Sequence, residues 1–482
     1  MGAAETSRLS LSSGGAKISH AALLTAAQVV RGLLRLVFVI AVARVLGPAR
    51  FGVYALLLAM VEMLAVASGA GYIDYLTREA AKDEQMGWGL GAQLMWLRLA
   101  CMVPLAGIGL GILWLLGYPR LVLVATACMS LTLLPRSLSE AVQGVLRGIG
   151  RYVGFLVIEL VFGLTLATGA GILLVRGGGL RAAIAAELAA AITAAVAGLV
   201  FALKFRTERR RRLTAWQLVK KSAIFNIYGF IGNLYDRLDV VLLSKLAGDY
   251  ATGIYGAAYR SIGMVQLLPY GVLYSLLPTL SRRDAEEAGQ LERFEKAMGL
   301  LLSAAFVIVL TTMVFADALI PRLLGARFVE SAAALKILIW AVILRYINYA
   351  LNIKLLAHGY EKVFVVTSAV CLAVNVIGNL VLIPMFSWRA ASVLTIVTEF
   401  ALLAQNVFWL RRAFGAVPKP LGWARTSLAF VAVLFVILTG GRLVSPLLVG
   451  TACLSAFLVY LYRSGMLAKF ASIWRMEPGP SL

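Results

Sequence analysis

The segment KFRTERRRRLTAWQLVKK, residues 204–221, is a basic island in an otherwise apolar sequence. It holds eight Lys or Arg residues in eighteen positions, with Glu208 as its only acid, and long apolar segments lie on both sides. Between two membrane helices such a run faces the cytoplasm, because cytoplasmic loops carry the excess of Lys and Arg. The apolar neighbours argue against nucleic-acid binding. The island therefore predicts the orientation of the chain and divides it into two halves.

Composition places the chain among polytopic membrane proteins. Of its 482 residues 61% are hydrophobic and 14% are charged, and the mean hydropathy is +0.88, far above the value for soluble proteins. The net charge of +22 fits loops that face anionic lipid. The four cysteines lie singly in apolar segments, without CxxC or Cys/His spacing, and there is no GxxxxGKS or GxxxxGKT motif. No disulfide, metal site, cofactor or direct use of ATP is predicted.

Apolar segments of spanning length predict an all-α membrane protein with about fourteen transmembrane helices, since about 20 apolar residues cross a bilayer as a helix. Six segments precede the basic island, six follow it, and two come last. They lie near 18–46, 51–76, 87–116, 120–146, 152–175, 180–203, 222–244, 252–279, 297–320, 331–357, 362–385, 389–410, 423–441 and 444–463.

These segments predict two six-helix bundles, at 18–203 and 222–411, joined by the linker at 204–221. A tail at 1–17 precedes them, and two extra helices with a second tail occupy 412–482. With the N-terminus inside, twenty-six Lys and Arg residues fall in inner segments and ten in outer turns. Because inner loops carry the positive excess, both termini are predicted to be cytoplasmic.

An internal repeat relates the two halves. LGPARFGVY at 46–54 is matched by AGDYATGIY at 247–255, with two glycines and a tyrosine at a constant offset of 201. Arg136 of the fourth predicted helix and Arg345 of the tenth are likewise 209 residues apart, as are Gly150 and Gly359. Six helices is an even number, so the halves share one orientation and a pseudo-two-fold axis along the membrane normal is predicted. Two such bundles enclose a cleft, which is typical of transporters.

Nine Lys and Arg residues remain inside predicted helices, where a charge is costly unless it faces a cavity or a partner. On the fourth predicted helix Arg136, Glu140, Gln143 and Arg147 form one polar stripe with helical spacing. The pattern predicts a hydrophilic cavity. Its candidate substrate-binding residues are Arg31, Arg35, Arg98, Arg136, Arg237, Arg260, Arg345, Asn233, Asn348, Asn352 and Gln143.

These residue types favour an anionic, sugar-bearing ligand. The planar guanidinium group of Arg matches phosphate oxygens, whereas amides and aromatic faces suit sugar hydroxyls and rings. Asp236, Asp239 and Glu140 are candidates for coupling to an ion. A structural alternative is that carboxylates neutralise the arginines across helix interfaces; the acids concerned are Glu140, Glu159, Glu187 and Glu399.

Three further residues have simpler interpretations. Tyr54 and Tyr255, near the predicted outer interface, are typical of aromatic-belt anchors. For Arg237, an ion pair with Asp236 or Asp239 is an alternative to ligand binding, as is extension of its side chain to the interface.

The first outer turn carries a specific pattern, R-x-L-G-x-x-x-(F/Y)-G-x-(F/Y), formed by Arg44, Leu46, Gly47, Phe51, Gly52 and Tyr54. It resembles the turn of polysaccharide repeat-unit flippases of the multidrug/oligosaccharidyl-lipid/polysaccharide exporter superfamily. A later G-x-x-x-A-x-x-R segment of that group matches loosely at Gly71 and Arg78, with Tyr75 where alanine is usual. The helix count, the two halves and the basic middle loop extend the resemblance over nearly the whole chain.

The resemblance implies export of an undecaprenyl-pyrophosphate-linked oligosaccharide, an O-antigen, exopolysaccharide or capsule repeat unit, to the outer leaflet of a bacterial cytoplasmic membrane. It implies rocking of the two halves while Arg31, Arg35, Arg136 and Arg345 hold the pyrophosphate and the lipid tail stays in the bilayer. Membrane lipids, a polysaccharide polymerase and glycosyltransferases are the implied partners. No enzyme activity and no cofactor are implied.

Three alternatives stay open. A lipid II flippase would share the superfamily and a basic cavity, and a lipid groove at the two last helices would favour it. A drug or cation antiporter would be expected to have a cavity dominated by carboxylates. A membrane glycosyltransferase would need a catalytic carboxylate or histidine cluster in a large outer loop, and no predicted outer loop is long enough.

Overall fold

The computed structural model describes residues 20–69, 72–204, 213–263, 265, 268–269, 272–273, 287–420, 422–440 and 445–465. Within these ranges the chain is α-helical apart from one 3-10 turn and short connections, and it contains no strand. The predicted all-α class is confirmed. The tail at 1–17, Gly71 and most of the basic linker lie outside the described residues, so the predicted domain boundaries and the predicted orientation stay predictions.

Fifteen α-helices are described. The first half contains α1 (His20–Ala67), α2 (Tyr72–Lys82), α3 (Glu84–Leu115), α4 (Arg120–Ser130), α5 (Leu133–Gly148), α6 (Tyr152–Arg176) and α7 (Gly179–Lys204). The second half contains α8 (Ala215–Gly263), α9 (Glu287–Leu324), a 3-10 turn (Ala326–Phe328), α10 (Val329–Leu338), α11 (Trp340–Ala357), α12 (Glu361–Phe386) and α13 (Trp388–Phe414). The last two helices are α14 (Trp423–Gly440) and α15 (Pro446–Arg463).

In the described ranges, nine helices are long and apolar enough to cross a membrane. One of these spans, at 120–148, is formed by α4 and α5 together. In addition, α1 and α8 each join two predicted spans across a kink. The chain is thus a multi-pass membrane protein, and the count of fourteen spans stays a prediction.

The second predicted span, 51–76, ends earlier than expected. α1 stops at Ala67, and the chain then forms the short helix α2. α2 is amphipathic and packs on α3 and α5, and its charged face is incompatible with an apolar span. Its buried residues are Tyr72, Tyr75, Leu76 and Ala80.

Backbone conformation is the same at corresponding glycines of the internal repeat. Gly47 interrupts α1 with φ 71° and ψ 173°, and Gly248 interrupts α8 with φ 82° and ψ 176°. A positive φ of this kind is readily adopted only by glycine. Gly150 and Gly359, at the second offset, also share a positive φ, of 74° and 80°. Each half therefore bends at corresponding positions, in agreement with the predicted pseudo-two-fold relation.

The halves meet where the bent helices α1 and α8 cross. A Cβ atom on Gly52 would lie 1.8 Å from the carbonyl oxygen of Asp249, and one on Gly253 would lie 1.9 Å from that of Pro48. The two backbones are therefore in direct contact, as small residues allow between membrane helices. We call this contact the glycine crossing.

The last two helices extend the second half. α14 and α15 pack on each other and on α9. The ring of Phe430 stacks on that of Phe306 with centroids 4.2 Å apart. Leu428 and Phe435, by contrast, are exposed on the outer surface of the bundle, where lipid would cover them.

Gly52→Ala should lower the thermal stability of the purified protein. The new methyl group collides with a backbone carbonyl, which cannot turn away as a flexible side chain does, and overpacking of this kind costs about 1–3 kcal/mol. The measurement is the unfolding temperature in detergent. The matched control is Gly232→Ala in α8, where a Cβ meets nothing within 4 Å. A Gly52→Ala protein as stable as this control would contradict the backbone contact.

Candidate functional site

A cavity of about 490 Å³ lies between the two halves, and we call it the central cavity. It is lined by α1, α2, α5, α6 and α8. On α1 its lining includes Arg31–Val39, which precede the Gly47 kink by roughly 12–24 Å of helix. The glycine crossing therefore closes one end of the interface between the halves, and the cavity lies toward the other end.

The central cavity is lined by many charged side chains, with apolar surface between them. Five arginines and four carboxylates line it, together with Gln143 and Tyr259. The apolar part of the lining includes Phe155, Leu36 and Val39. The charged residues are Arg31, Arg35, Arg147, Arg237, Arg260, Glu62, Glu140, Glu159 and Asp236.

The two cavity arginines of α1 are paired within the first half. Nη1 of Arg31 lies 3.0 Å from the carboxylate of Glu159, which also accepts a hydrogen bond from Gln143 at 2.9 Å. Nη2 of Arg35 lies 3.5 Å from the carboxylate of Glu187. Both acids are buried. These are ion pairs across helix interfaces, as in the structural alternative, but the two guanidinium groups still border the cavity.

The polar stripe of α5 is organised around Glu140. Its carboxylate accepts from Arg136 one turn earlier, at 3.1 Å, and from Arg98 of α3. Arg98 is only 4% exposed and lies behind α5, outside the lining of the central cavity. Arg136 is also absent from that lining. Of the stripe, Glu140, Gln143 and Arg147 face the cavity.

One ion pair joins the two halves. Nε of Arg237 in α8 lies 2.6 Å from the carboxylate of Glu62 in α1, and among the ion pairs of the described ranges no other crosses between the halves. The guanidinium carbon of Arg237 also lies 5.9 Å from the ring centroid of Tyr259, which is within the range of a cation–π contact. Arg237 thus pairs with neither Asp236 nor Asp239, the partners weighed from the sequence.

Glu62 was missed by the sequence analysis. The repeat gives it no counterpart, because the residue 201 positions later is Gly263. It also belongs to no polar stripe with helical spacing. One sequence feature could have identified Glu62 as a candidate: it is an acid within an apolar segment, and such residues usually have a charged or polar partner.

Arg260 differs from the other cavity arginines. It lines the cavity and is partly buried, yet it forms neither an ion pair nor a hydrogen bond with any residue that the structure describes. An arginine has five N–H donors and no way to become neutral. Arg260 therefore offers an uncommitted guanidinium group to the cavity.

The second half has its own buried polar network. Arg345, 6% exposed, donates to Glu399 at 2.5 Å and lies 3.4 Å from Asp236. Asn348 donates to the other oxygen of Glu399 at 3.0 Å. Arg345 and Asn348 are absent from the lining of the central cavity, whereas Asp236 borders both the cavity and the network.

The remaining candidates lie outside the central cavity. Asn233 and Asn352 each have a buried side-chain oxygen without a hydrogen-bond partner in the described ranges. Asp239 is 3% exposed, accepts from the amide of Val240 at 2.7 Å and from the hydroxyl of Tyr255, and forms no ion pair within the part of the chain that is described. It is a buried carboxylate held by neutral donors.

The interpretation of Tyr54 and Tyr255 as interfacial anchors is wrong. Both side chains are fully buried. The hydroxyl of Tyr54 donates to Glu187 at 2.7 Å, and that of Tyr255 donates to Asp239. A buried tyrosine needs a hydrogen-bond partner, and each half supplies a buried carboxylate, from α7 in the first half and from α8 in the second.

Solved structures with the same fold are transporters and flippases. The chain is similar to an inward-closed structure of the lipid II flippase MurJ, with 14% identity over 92% of this chain and 99% of that chain and a TM-score of 0.68. It is similar to an inward-facing multidrug resistance transporter of the MATE family, with 14% identity over 79% and 94% and a TM-score of 0.63. A third is a transporter of the same superfamily from Pyrococcus furiosus, with 13% identity over 82% and 95% and a TM-score of 0.56.

No curated protein matches the chain. Identities this low make the structural likeness evidence for the fold. The family evidence is separate: the model of a family described as polysaccharide biosynthesis protein matches residues 19–284, more than half of the 482 residues. The resemblance seen in the first outer turn is thereby confirmed. The chain is a multi-pass membrane protein that belongs to the polysaccharide biosynthesis protein family.

Proposed function

We propose that the protein flips a polyprenyl-pyrophosphate-linked oligosaccharide from the cytoplasmic to the outer leaflet of a bacterial cytoplasmic membrane. The observation that carries the proposal is the uncommitted guanidinium group of Arg260 in a cavity between the halves. Substrate enters from the side away from the glycine crossing, which is the cytoplasmic side if both termini are cytoplasmic. The chain's own family is one of polysaccharide biosynthesis.

The cavity suits a diphosphate more than a cation. A guanidinium group with free donors binds phosphate oxygens through paired, charge-assisted hydrogen bonds. Arg31, Arg35 and Arg237 surround the same space, and their present carboxylate partners hold them at its wall. A diphosphate bound to Arg260 replaces hydration with donors that are already in place, which limits the loss of side-chain entropy on binding.

The sugar and the lipid tail use other parts of the cavity. Gln143 and the ring of Tyr259 supply an amide and an aromatic face beside the arginines. Phe155 and Val39 continue the lining with apolar surface. We assign the head group to the arginines and the first sugar to Gln143 and Tyr259, while the polyprenyl chain stays in the bilayer.

We assign supporting roles to Arg98, Arg136, Arg345, Asn348, Asn233 and Asn352. Arg98 and Arg345 are each 6% exposed or less and are engaged with a carboxylate. Removing Arg345 leaves the buried Glu399 without an ion-pair partner, which destabilises a protein strongly, and removing Arg98 takes away one of the two arginines that pair with Glu140. Their loss would thus reduce transport by disturbing the fold around the cavity.

Ion coupling is assigned to Asp239. Its buried carboxylate is held by Tyr255 and Val240 and forms no ion pair with a described residue, unlike Asp236 and Glu140, which pair with arginines. A carboxylate of this kind takes up a proton or a small cation without first breaking an ion pair. We propose it as the residue through which an ion gradient drives the cycle.

Two alternatives share the fold. A lipid II substrate has the same diphosphate chemistry, and MurJ is named as a lipid II flippase, so the choice between glycans depends on transport measurements. A drug or cation antiporter is less well supported, because an uncommitted arginine in the cavity repels a cationic substrate. The polysaccharide family and the transporter fold give a membrane glycosyltransferase no support. A polysaccharide polymerase and glycosyltransferases are the partners that this function would require.

Arg260→Ala should reduce glycolipid flipping by about tenfold or more, because a charge-assisted contact contributes about 1.5–3 kcal/mol. The measurement is leaflet-resolved movement of a fluorescent undecaprenyl-pyrophosphate oligosaccharide in proteoliposomes, with lipid II and a cationic dye run in parallel. The matched control is Arg176→Ala, an exposed arginine at the end of α6. Undiminished flipping by Arg260→Ala would remove Arg260 from the head-group site, and transport of the dye alone would replace the proposed function.

Asp239→Asn should abolish the dependence of flipping on an ion gradient while leaving glycolipid binding intact. The amide keeps the shape of the carboxylate and can still accept from Tyr255, but it carries no charge to exchange. The measurement compares flipping with and without imposed proton and sodium gradients, and binding by the wild type and the variant. Asp317→Asn, at an exposed acid, is the control. A gradient response that survives in Asp239→Asn would exclude Asp239 as the coupling residue.

A further inference from the structure

A cation in the first half contacts the end of a helix in the second half. Arg44 lies three residues before the Gly47 kink. Its Nε donates to the carbonyl oxygen of Leu323 at 2.5 Å, and its Nη2 donates to that of Arg322. Both carbonyls belong to the last turn of α9, where the final C=O groups of a helix lack partners within the helix and carry partial negative charge.

The second half returns the same contact. Lys245 lies three residues before the Gly248 kink, 201 positions after Arg44. Its ammonium group donates to the carbonyl oxygen of Leu116, which ends α3 in the first half. α3 and α9 occupy corresponding places in the two halves, each ending just before a glycine with positive φ, Gly117 and Gly325.

We propose that these two reciprocal contacts form a latch that holds this end of the transporter closed. The latch comprises Arg44 on the end of α9 and Lys245 on the end of α3, and it flanks the glycine crossing on both sides. An edge-to-face contact between Phe51 of the first half and Phe328 of the second, with centroids 5.8 Å apart, lies beside it. Opening toward this side separates the halves and breaks both contacts at once.

The chemistry of the latch suits a contact that forms and breaks in each cycle. Arg44 and Lys245 are exposed, so both the cations and the freed carbonyls are hydrated when the contacts open. Neither partner is left buried and unpaired. The pairs Arg31–Glu159, Arg35–Glu187 and Arg345–Glu399, whose acids are buried, in contrast each lie within one half and stay intact when the halves rock.

The latch rests on the alternating access proposed above, but it can be tested without any substrate. Two pairs of spin labels, in a background with all four native cysteines changed to alanine, report the two ends of the protein in lipid nanodiscs. Arg120→Cys with Val329→Cys reports the latch end, since these residues start α4 and α10. Val153→Cys with Lys362→Cys reports the opposite end, near the starts of α6 and α12. All four positions are exposed.

Arg44→Met and Lys245→Met retain the aliphatic stem and remove the charge. A cation at a helix C-terminus contributes enough that each change should raise the ratio of open to closed molecules about two- to fivefold, and both together about 4- to 25-fold. The Arg120–Val329 distance distribution should then gain a longer component and the Val153–Lys362 distribution a shorter one. Raising the salt concentration should shift the wild type in the same direction, because exposed charges are screened.

Two controls flank this experiment. Arg176→Met removes an exposed cation at the same end of the bundle without touching the latch and should leave both distributions unchanged. Gly253→Ala should open the same end, because its methyl group would collide with the carbonyl of Pro48, and it tests whether the labels detect opening.

Unchanged distributions in the double variant, with Gly253→Ala shifted, would overturn the latch. A shift equal to that in Arg176→Met would overturn it too, since the effect would then be one of surface charge. Failure of the proposed substrate can be distinguished from failure of the latch. Shifted distances without glycolipid flipping would support the latch and reject the substrate. Glycolipid flipping with unshifted distances would support the substrate and reject the latch.

Discussion

Contact between two bare backbones, at Gly52 and Gly253, is the constraint on which the arrangement of the halves depends. A Cβ atom at either position would lie within 2 Å of a carbonyl oxygen of the opposite helix, at 1.8 Å and 1.9 Å respectively. Only glycine permits that approach. The kinks at Gly47 and Gly248 orient α1 and α8 so that the two helices cross at Gly52 and Gly253. Because the helices meet there, the same helices diverge farther along, and the space between them is the central cavity. The crossing thus closes one end of the interface and leaves room at the other.

The apolar surroundings then decide how charge is distributed. Buried guanidinium groups need carboxylate partners, and most arginines inside the bundle have one from their own half, as in Arg35–Glu187 and Arg345–Glu399. Each half is therefore nearly self-sufficient in charge and can move as a unit. Arg260 has no such partner in the described ranges. A site that binds an anion needs at least one cation that the fold has not already neutralised, and the space in front of Arg260 meets that need.

The sequence predicted the structure well at positions where the backbone conformation or a close helix contact requires a particular residue type. The glycines at offsets of 201 and 209 predicted the repeat because a positive φ or a close helix crossing demands glycine whatever surrounds it. Membrane class and helix positions followed from hydropathy, although the charged face of α2 ended one predicted span early.

Side-chain partners were harder to predict. Tyr54 and Tyr255 were predicted to lie at the membrane–water interface, yet both are buried and donate hydrogen bonds to Glu187 and Asp239. Which face of a helix is exposed depends on tertiary packing, and the sequence pattern does not reveal it. For the same reason the sequence listed Arg98 and Arg260 alike, although one is enclosed behind α5 and the other is uncommitted.

Contacts between the halves differ in kind from contacts within them. Inside each half, buried acids hold arginines in pairs whose separation would strand a charge in an apolar medium. Between the halves, the polar and close backbone contacts include a backbone crossing, a pair of exposed cations on helix ends, and Glu62 with Arg237 at the wall of the cavity. When the halves separate, each of these contacts can be replaced by contacts with water or with ligand. Glu62–Arg237 has a further consequence, since an anion bound at Arg260 competes with Glu62 for the neighbouring guanidinium group. In the alternating-access cycle proposed above, occupancy of the cavity would thereby weaken a contact between the halves.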